Sequence, residues 1–325
     1  MQLDKKDREI LFELDKNSRY PISKIAKKTK LSKQVAKYRV DKLIKEGIIT
    51  NFSSVINLSY LGIGIYKIYF QLSGISKEKL IEIINDLKKN YKINWIAECI
   101  GRFDLIIAIL CKNPQEFYSE KKKILLKYNQ YIHEYEISIT SDTYIYGRNY
   151  LVDKEIQGEE QYIGQKKLIN LDSKDKKILE ILINNCRITS LEISKITKFN
   201  IKTVISRIRN LEKLGIIARH KLFLDLNKID LKYYKVVITI NNMILEDYNK
   251  FINYCKNNRN IVFLVETIGS WELEFEVEIE NEDKLFEIIK DIKSSFPNFI
   301  KRLEYLRIIK DHKYIYLPKE LIEKN

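Results

Sequence analysis

No two of the four cysteines, Cys99, Cys111, Cys186 and Cys255, stand in a CxxC pair or at any other metal-ligand spacing. That excludes a zinc ribbon and a disulfide framework, and it fits a reducing cytoplasm. Long apolar runs are missing as well. The longest, Leu105 to Cys111, falls far short of the roughly 20 residues that cross a bilayer. Charges occupy the N-terminus where a secretory apolar core would lie, so a soluble cytoplasmic protein with no membrane partner is expected. Histidine occurs three times, at His133, His220 and His312, widely scattered. There is no HExxH, no GxSxG, no glycine-rich loop before GK[ST] and no dinucleotide fingerprint, so hydrolase, kinase and dehydrogenase readings have no residue support. No catalytic residue, metal or cofactor is expected.

What is present is length and positive charge. A chain of 325 residues exceeds one ordinary domain and has material for two to four cores. Lys and Arg total 58 against 44 Asp and Glu, a surplus of fourteen, which favours polyanionic partners such as nucleic acid. Because the chain is rich in Lys, Ile and Asn together, the placement of the charge carries more weight than its sum.

The placement follows a repeat. LDKKDREIL at Leu3 to Leu11 returns as LDSKDKKIL at Leu171 to Leu179, 168 positions later, with six of nine residues unchanged. The same offset pairs Arg19 with Arg187, Arg39 with Arg207, Gly47 with Gly215, Lys67 with Lys235 and Gly101 with Gly269, without a gap. A two-domain module has been duplicated in tandem.

In each copy the first fifty residues read as helices. Ile10, Leu11 and Leu14, then Ile178, Leu179 and Leu182, share the three-and-four spacing of an apolar stripe. A short second helix is expected near Ser23 to Thr29. Ser32 and Asn200 stand as N-caps of a third helix, whose inward residues are Ala36, Val40, Leu43 and Ile44 in copy one and Val204, Ile208 and Leu211 in copy two; Gly47 and Gly215 end it. The β-branched stretches that follow suit a two-stranded wing. The remainder of each copy orders its segments β-α-β-β-α-β, the ferredoxin-like plan. The expected fold is therefore α+β: two tandem copies of a winged helix-turn-helix followed by a ferredoxin-like βαββαβ domain. The boundaries are a first winged helix at 1–60, a first ferredoxin-like domain at 61–145, a linker at 146–170, a second winged helix at 171–228 and a second ferredoxin-like domain at 229–325.

With LDxxDxxIL, LSxxxxxxRVxxLxxxGII and a glycine-and-carboxylate loop between two sheet strands in view, the chain resembles the leucine-responsive regulatory protein/AsnC (Lrp/AsnC, feast/famine) transcription regulators, twice over. The resemblance implies a sequence-specific DNA-binding regulator of double-stranded DNA, with association through the sheet domains and a small effector, often an amino acid, bound at the loop. Most members similar to this one have one copy per chain. Two copies imply an intramolecular pseudo-dimer, with homo-oligomers built through the ferredoxin-like domains.

With Ala36, Val40 and Leu43 turned inward, the outward face of the third helix holds Lys33, Gln34, Lys37, Tyr38 and Lys45, the DNA-binding candidates of copy one. Gln is suited to bidentate contact with adenine and Lys to phosphate or guanine. Copy two offers Lys202, Thr203, Ser206 and Arg209; its head either reads a different half-site or serves packing. Residues 1–50 hold fourteen basic and seven acidic side chains, and residues 169–219 eleven and five, which places the surplus in the heads. Arg39 with Asp7, repeated as Arg207 with Asp175, reads either as phosphate contact or as a salt bridge between helices. Gly101 and Asp104, with Gly269 and Glu272, are the effector-binding candidates that the resemblance implies; a tight turn alone also explains the glycines.

The strand WELEFEVEIE alternates, with Glu272, Glu274, Glu276, Glu278 and Glu280 on one face. A solvent-exposed acidic face is expected there, and the matching apolar face of copy one, Ile106, Ala108 and Leu110, is the expected oligomer interface. One enzyme reading remains as an alternative, because siroheme decarboxylases resemble the same family and pair two related subunits. That resemblance calls for a His-Asn-Tyr stretch leading into the first sheet strand, where this chain has YLGIGIYKIYF and DLKYYKVVITI, without histidine.

Overall fold

A computed structural model describes residues 3–153, 160–164 and 167–323. Copy one comprises α1 (Lys5–Lys16), α2 (Ile22–Thr29), α3 (Lys33–Lys45), β1 (Ile49–Ile56), β2 (Gly64–Leu72), α4 (Lys77–Lys89), β3 (Ile93–Ile100), β4 (Leu105–Cys111), α5 (Pro114–Tyr128) and β5 (Ile132–Tyr146). After β6 (Glu160–Ile163), copy two repeats the order: α6 (Ser173–Asn184), α7 (Ser190–Thr197), α8 (Ile201–Lys213), β7 (Ile217–Leu224), β8 (Lys232–Ile240), α9 (Leu245–Asn257), β9 (Ile261–Gly269), β10 (Leu273–Ile279), α10 (Glu282–Ser295) and β11 (Ile300–Tyr314), with α11 (Lys319–Glu323) last.

Local chemistry sets the helix limits. The Asp4 and Asp172 carboxylates accept from the Asp7 and Asp175 backbone amides at 2.8 and 2.9 Å. Ser32 Oγ accepts from the Val35 amide at 3.2 Å and Asn200 Oδ1 from Lys202 at 2.8 Å, satisfying N-terminal donors that the helices leave open. Gly47 and Gly215, at φ of 69° and 77°, take the left-handed turn that ends each third helix.

Among the described residues the strands form two sheets. In the smaller, β1 and β7 pair antiparallel, with Ser54 opposite His220. Each copy thus supplies one strand of a shared wing, and the two-stranded wing expected inside each copy is replaced by a ribbon between copies. In the larger sheet the order runs β2-β4-β3-β11-β8-β10-β9-β5, and β5 also pairs with β2. These eight strands close into a barrel whose two inter-copy seams are β3–β11 and β5–β9. The expected linker is partly built into the fold: β6 pairs with the end of β5, and Arg148, Asn149 and Leu151 are buried. Positions 154–159 and 165–166 of that linker lie outside the described residues.

Strand alternation sorts the barrel into two faces. The outer face packs Ile68, Ile107 and Ile109 against Ile84 and Ile124 of the copy-one helices, and Ile238, Phe275 and Val277 against Phe251 and Ile288 of copy two. The inner face holds Tyr69, Trp95, Ala108, Val237, Trp271 and Leu306. Glu274, Glu276 and Glu278 also lie on the inner side, 0%, 9% and 3% exposed, so the expected solvent-facing acidic strand is corrected to a buried one. Alternation separated the two faces but could not tell a closed lumen from open solvent. The apolar face of Ile106, Ala108 and Leu110 is sealed in the same way and is not an external interface.

Buried carboxylates persist here because cations from both copies meet them. Lys67 Nζ lies 2.5 Å from Glu274, while Lys235 Nζ lies 3.2 Å from Glu274 and 2.6 Å from Glu276. Ser138 Oγ and Trp271 Nε1 donate to Glu274 at 2.6 and 2.9 Å, and Tyr233 OH donates to Glu276. Burial alone would raise the Glu274 pKa, but the two ammoniums outweigh it and hold the carboxyl well below its usual range. A second cluster joins Arg148 to Asp15 and to Glu278, each at 2.7 Å, tying the first helix of copy one to the sheet of copy two.

Removing one partner of such a group leaves an uncompensated charge, so Glu274→Gln should cost about 3–5 kcal/mol of unfolding free energy in a denaturant titration. The double variant Glu274→Leu/Lys67→Met should recover a large part of that loss. Since the folded-state pKa of Glu274 is depressed, its contribution is present above the unfolded value of 4.5 and fades as pH falls below it. Wild type and Glu274→Gln should therefore converge in acid.

Candidate nucleic-acid interface

On α3, Ala36, Val40 and Leu43 are buried, while Lys33, Gln34, Lys37, Tyr38 and Lys45 are exposed. Ile44, expected inside, is 43% exposed. On α8, Val204, Ile208 and Leu211 point inward, Lys202, Ser206 and Arg209 are exposed and Thr203 is half-buried. Lys37 Nζ is 2.5 Å from Asp41 one turn on, so part of its charge is already met on its own helix. Lys24, Lys27 and Lys30 on and just after α2 are exposed beside this face.

The two arginines left open by the sequence are structural in this fold. Arg39 Nη1 is 2.6 Å from Asp4 and 2.8 Å from Asp7, and Arg207 Nη1 is 2.7 Å from Asp172 and 2.8 Å from Asp175. Each locks a third helix against its first, using the carboxylates that cap and open that first helix.

What fixes the two heads to each other was not legible in either copy alone. α1 packs on β7 and α6 on β1, so each head completes its core with a strand from the other copy. Arg19 Nη1 donates to the Ile188 carbonyl and Arg187 Nη1 to the Tyr20 carbonyl, both at 3.2 Å, and each arginine reaches a second carbonyl across the same boundary. Tyr60 OH donates to the Leu214 carbonyl at the end of α8, and Lys228 Nζ donates to the Glu46 carbonyl at the end of α3 at 2.7 Å. Tyr60 and Lys228 are themselves related by the repeat offset. Aligning the two copies marks these positions, but only the paired ribbon reveals that they cross over.

The effector candidates sit at the barrel corners. Gly101 and Gly269 have φ of 145° and 144°, and a Cβ on Gly269 would fall 2.2 Å from the Ile137 carbonyl oxygen. At Gly101 the nearest atoms are Leu306 Cδ2 at 3.0 Å and the Tyr305 carbonyl at 3.1 Å. Both glycines thus serve the close approach of the two copies at the seams, beyond making a turn. Asp104 accepts from the Leu72 amide at 2.7 Å and Glu272 from the Ile240 amide at 2.8 Å, so each carboxylate closes the end of the first strand of its domain. Arg102 Nη1, at 3.3 Å from Glu304, links the first corner to copy two. Ile100 and Ile268 beside the corners are each 65% exposed.

The histidines do not assemble. His220 lies between Ser54 and Glu212, each at 2.9 Å, and His312 bonds Glu98 at 2.9 Å. Among the described residues no helix is long and apolar enough to cross a membrane.

Comparison with known proteins agrees with this geometry. A family model described as winged helix-turn-helix DNA-binding matches residues 3–50 and again 171–218. The HTH-type transcriptional regulator FL11 of Pyrococcus abyssi is 30% identical over 119 residues, covering 37% of this chain and 78% of that protein. The uncharacterized HTH-type transcriptional regulator PF0054 of Pyrococcus furiosus is 30% identical over 127 residues, covering 39% and 82%. Among solved structures, the siroheme decarboxylase NirDL superposes with a TM-score of 0.64 over 98% of this chain and 97% of its own, at 12% identity. At that identity the likeness is one of fold.

One side chain of the ribbon faces the barrel in an unfavourable state. Lys221, 5% exposed, has its ammonium 3.7 Å above the Phe263 ring. Burial, with Arg148 next, pushes its pKa from 10.5 down to about 7. Between those values the unfolded chain binds more protons than the folded one, so this residue makes stability rise with pH. Lys221→Met should therefore be more stable than wild type by a few kcal/mol, as an order of magnitude, below pH 7. Chemical denaturation across the pH range should show the advantage shrinking to nothing as pH climbs through 10.5.

Proposed function

The chain belongs to the Lrp/AsnC family of DNA-binding transcription regulators in tandem-duplicated form, and from that premise we propose that it grips an operator with both heads of an intramolecular pseudo-dimer. The observation that carries this reading is the pair of exposed polar faces on α3 and α8, mounted on helices that a shared ribbon and reciprocal clasps hold in one arrangement. Lys33, Gln34, Lys37, Tyr38 and Lys45 form the reading face of copy one; Lys202, Thr203, Ser206 and Arg209 form that of copy two. The lysines and Arg209 supply phosphate and guanine contacts, Gln34 an adenine contact, and Thr203 and Ser206 shorter polar contacts. The two faces differ in sequence, which suits an operator that is only roughly palindromic.

We assign small-effector response and association between chains to the corners at Gly101, Asp104, Gly269 and Glu272. Exposed Ile100 and Ile268 support that assignment, and each corner carboxylate has one oxygen occupied by the backbone. A regulatory role in the cytoplasm fits these features better than catalysis. The lead into β2 and β8 carries no histidine, and His220 and His312 have separate partners.

Footprinting on the DNA upstream of the protein's own coding region, with gel shifts at several salt concentrations, tests the proposal. Affinity should fall linearly on a log–log salt plot. Lys33→Ala/Lys37→Ala should weaken binding about 10- to 100-fold near 0.15 M salt and lower the slope by about 2 if both lysines meet phosphate. Inserting about 5 base pairs between the half-sites should abolish binding by both heads, since one face then points away. Unchanged affinity in the double variant would remove α3 from the interface.

A further inference from the structure

The barrel lumen holds a pocket with a few polar groups that the DNA interface does not use. Beneath the β1 strand lies a cavity of about 160 Å³. Its walls are largely apolar, from Ile65, Ala108, Phe263 and Val265 among others, and Lys67, Asn94 and Thr140 also line it. Asn94 is 7% exposed and its Oδ1 has no hydrogen-bond partner among the described residues, and a half-turn of the amide puts the donor Nδ2 in that place; Thr140 Oγ1 is likewise buried and unpartnered among them. Buried polar atoms left open in this way are costly, and each calls for a partner. Asn94 sits at an irregularity in the β3–β4 pairing between Ile93 and Trp95, a place where a strand re-aims side chains.

The duplication supplies an internal control. At the repeat offset of 168, Asn94 corresponds to Val262 and Thr140 to Ile308, both buried. The fold therefore accepts apolar side chains at these places, and copy one carries polar ones for another reason. The two lysines differ in the same sense. Among the described residues Lys235 meets two carboxylates, whereas Lys67 has only Glu274, which it shares with Lys235. One ion pair leaves two of its three N–H donors for something else.

We infer that this cavity is a binding site for a small monocarboxylate with a short aliphatic tail, its carboxylate accepting from Lys67 Nζ, Thr140 Oγ1 and the Asn94 amide Nδ2, and its tail against Ile65, Ala108 and Val265. A cavity of about 150 Å³ holds benzene, so the occupant has about six to eight non-hydrogen atoms. A tetrapyrrole is several times too large. An α-ammonium is disfavoured because Glu274, the carboxylate that Lys67 meets, is already filled by Lys67, Lys235, Ser138 and Trp271. The inference does not depend on the DNA reading.

The test is calorimetric titration of the full chain with 3-methylbutanoate, its neutral counterpart 3-methylbutan-1-ol, and L-valine. The acid should bind saturably and at least about tenfold more tightly than the other two. Asn94→Val and Thr140→Ile, which install the residues that copy two already carries, should each weaken the acid about tenfold, the equivalent of one hydrogen bond. Circular dichroism and DNA affinity in both variants should stay at wild-type values. Failure of the wild type to take up the acid, equal binding of acid and alcohol, preference for valine, or unchanged affinity in both folded variants would each overturn the assignment. The acid-against-alcohol comparison needs no variant and so holds even if one of them misfolds.

Discussion

Two lines of backbone hydrogen bonds, β3 to β11 and β5 to β9, govern the rest of the molecule. Without them each copy would present an open four-stranded sheet with unpaired edges and an exposed inner face. With them the sheet has no free edge around the barrel, and the inner face becomes a second core. The closeness required along these lines explains why glycine stands at positions 101 and 269. It also brings the two wing strands within reach of each other, which is how the heads acquire a common ribbon.

Fusion of the copies permits an arrangement that two identical chains could not share. Lys67 and Lys235 occupy equivalent places, but Glu274 and Glu276 correspond to Ile106 and Ala108. A symmetric pair of second copies would enclose four carboxylates against two ammoniums, and a symmetric pair of first copies two ammoniums with none. Only one of each gives balance, and burying unbalanced charge costs several kcal/mol per ion. The Asp15–Arg148–Glu278 cluster repeats the pattern, since its equivalents are Ile183, Tyr316 and Leu110. Charge inside the barrel thus selects the pairing of unlike halves.

Much of this was legible in the amino-acid order. Caps, stop glycines and apolar stripes are local signals, and α3 and α8 begin and end where Ser32, Asn200, Gly47 and Gly215 place them. The alternation of Glu274, Glu276 and Glu278 was equally plain, but its meaning depended on whether the sheet closes, which no single strand encodes. The wing was misassigned for a related reason: a β-branched stretch declares a strand and not its partner. The role of Gly269 as a site of chain approach rests on Ile137, more than a hundred residues away. Asn94 and Thr140 escaped notice, although setting the copies side by side marks them as polar residues where the second copy is apolar. That comparison is the signal by which a pocket of this kind can be found without coordinates.

The clasps of Tyr60 on the end of α8 and Lys228 on the end of α3 bind each head to the opposite half of the chain. Heads anchored in this manner have little freedom to swing apart or rotate to suit an imperfectly spaced target. If both heads grip one operator as proposed, adjustment falls to the duplex, which must bend or twist between the two contact regions at a cost set by its own base steps. Base pairs that no side chain reaches would in this way be drawn into recognition, and pliable TA or CA steps at the operator centre would become part of what the protein selects.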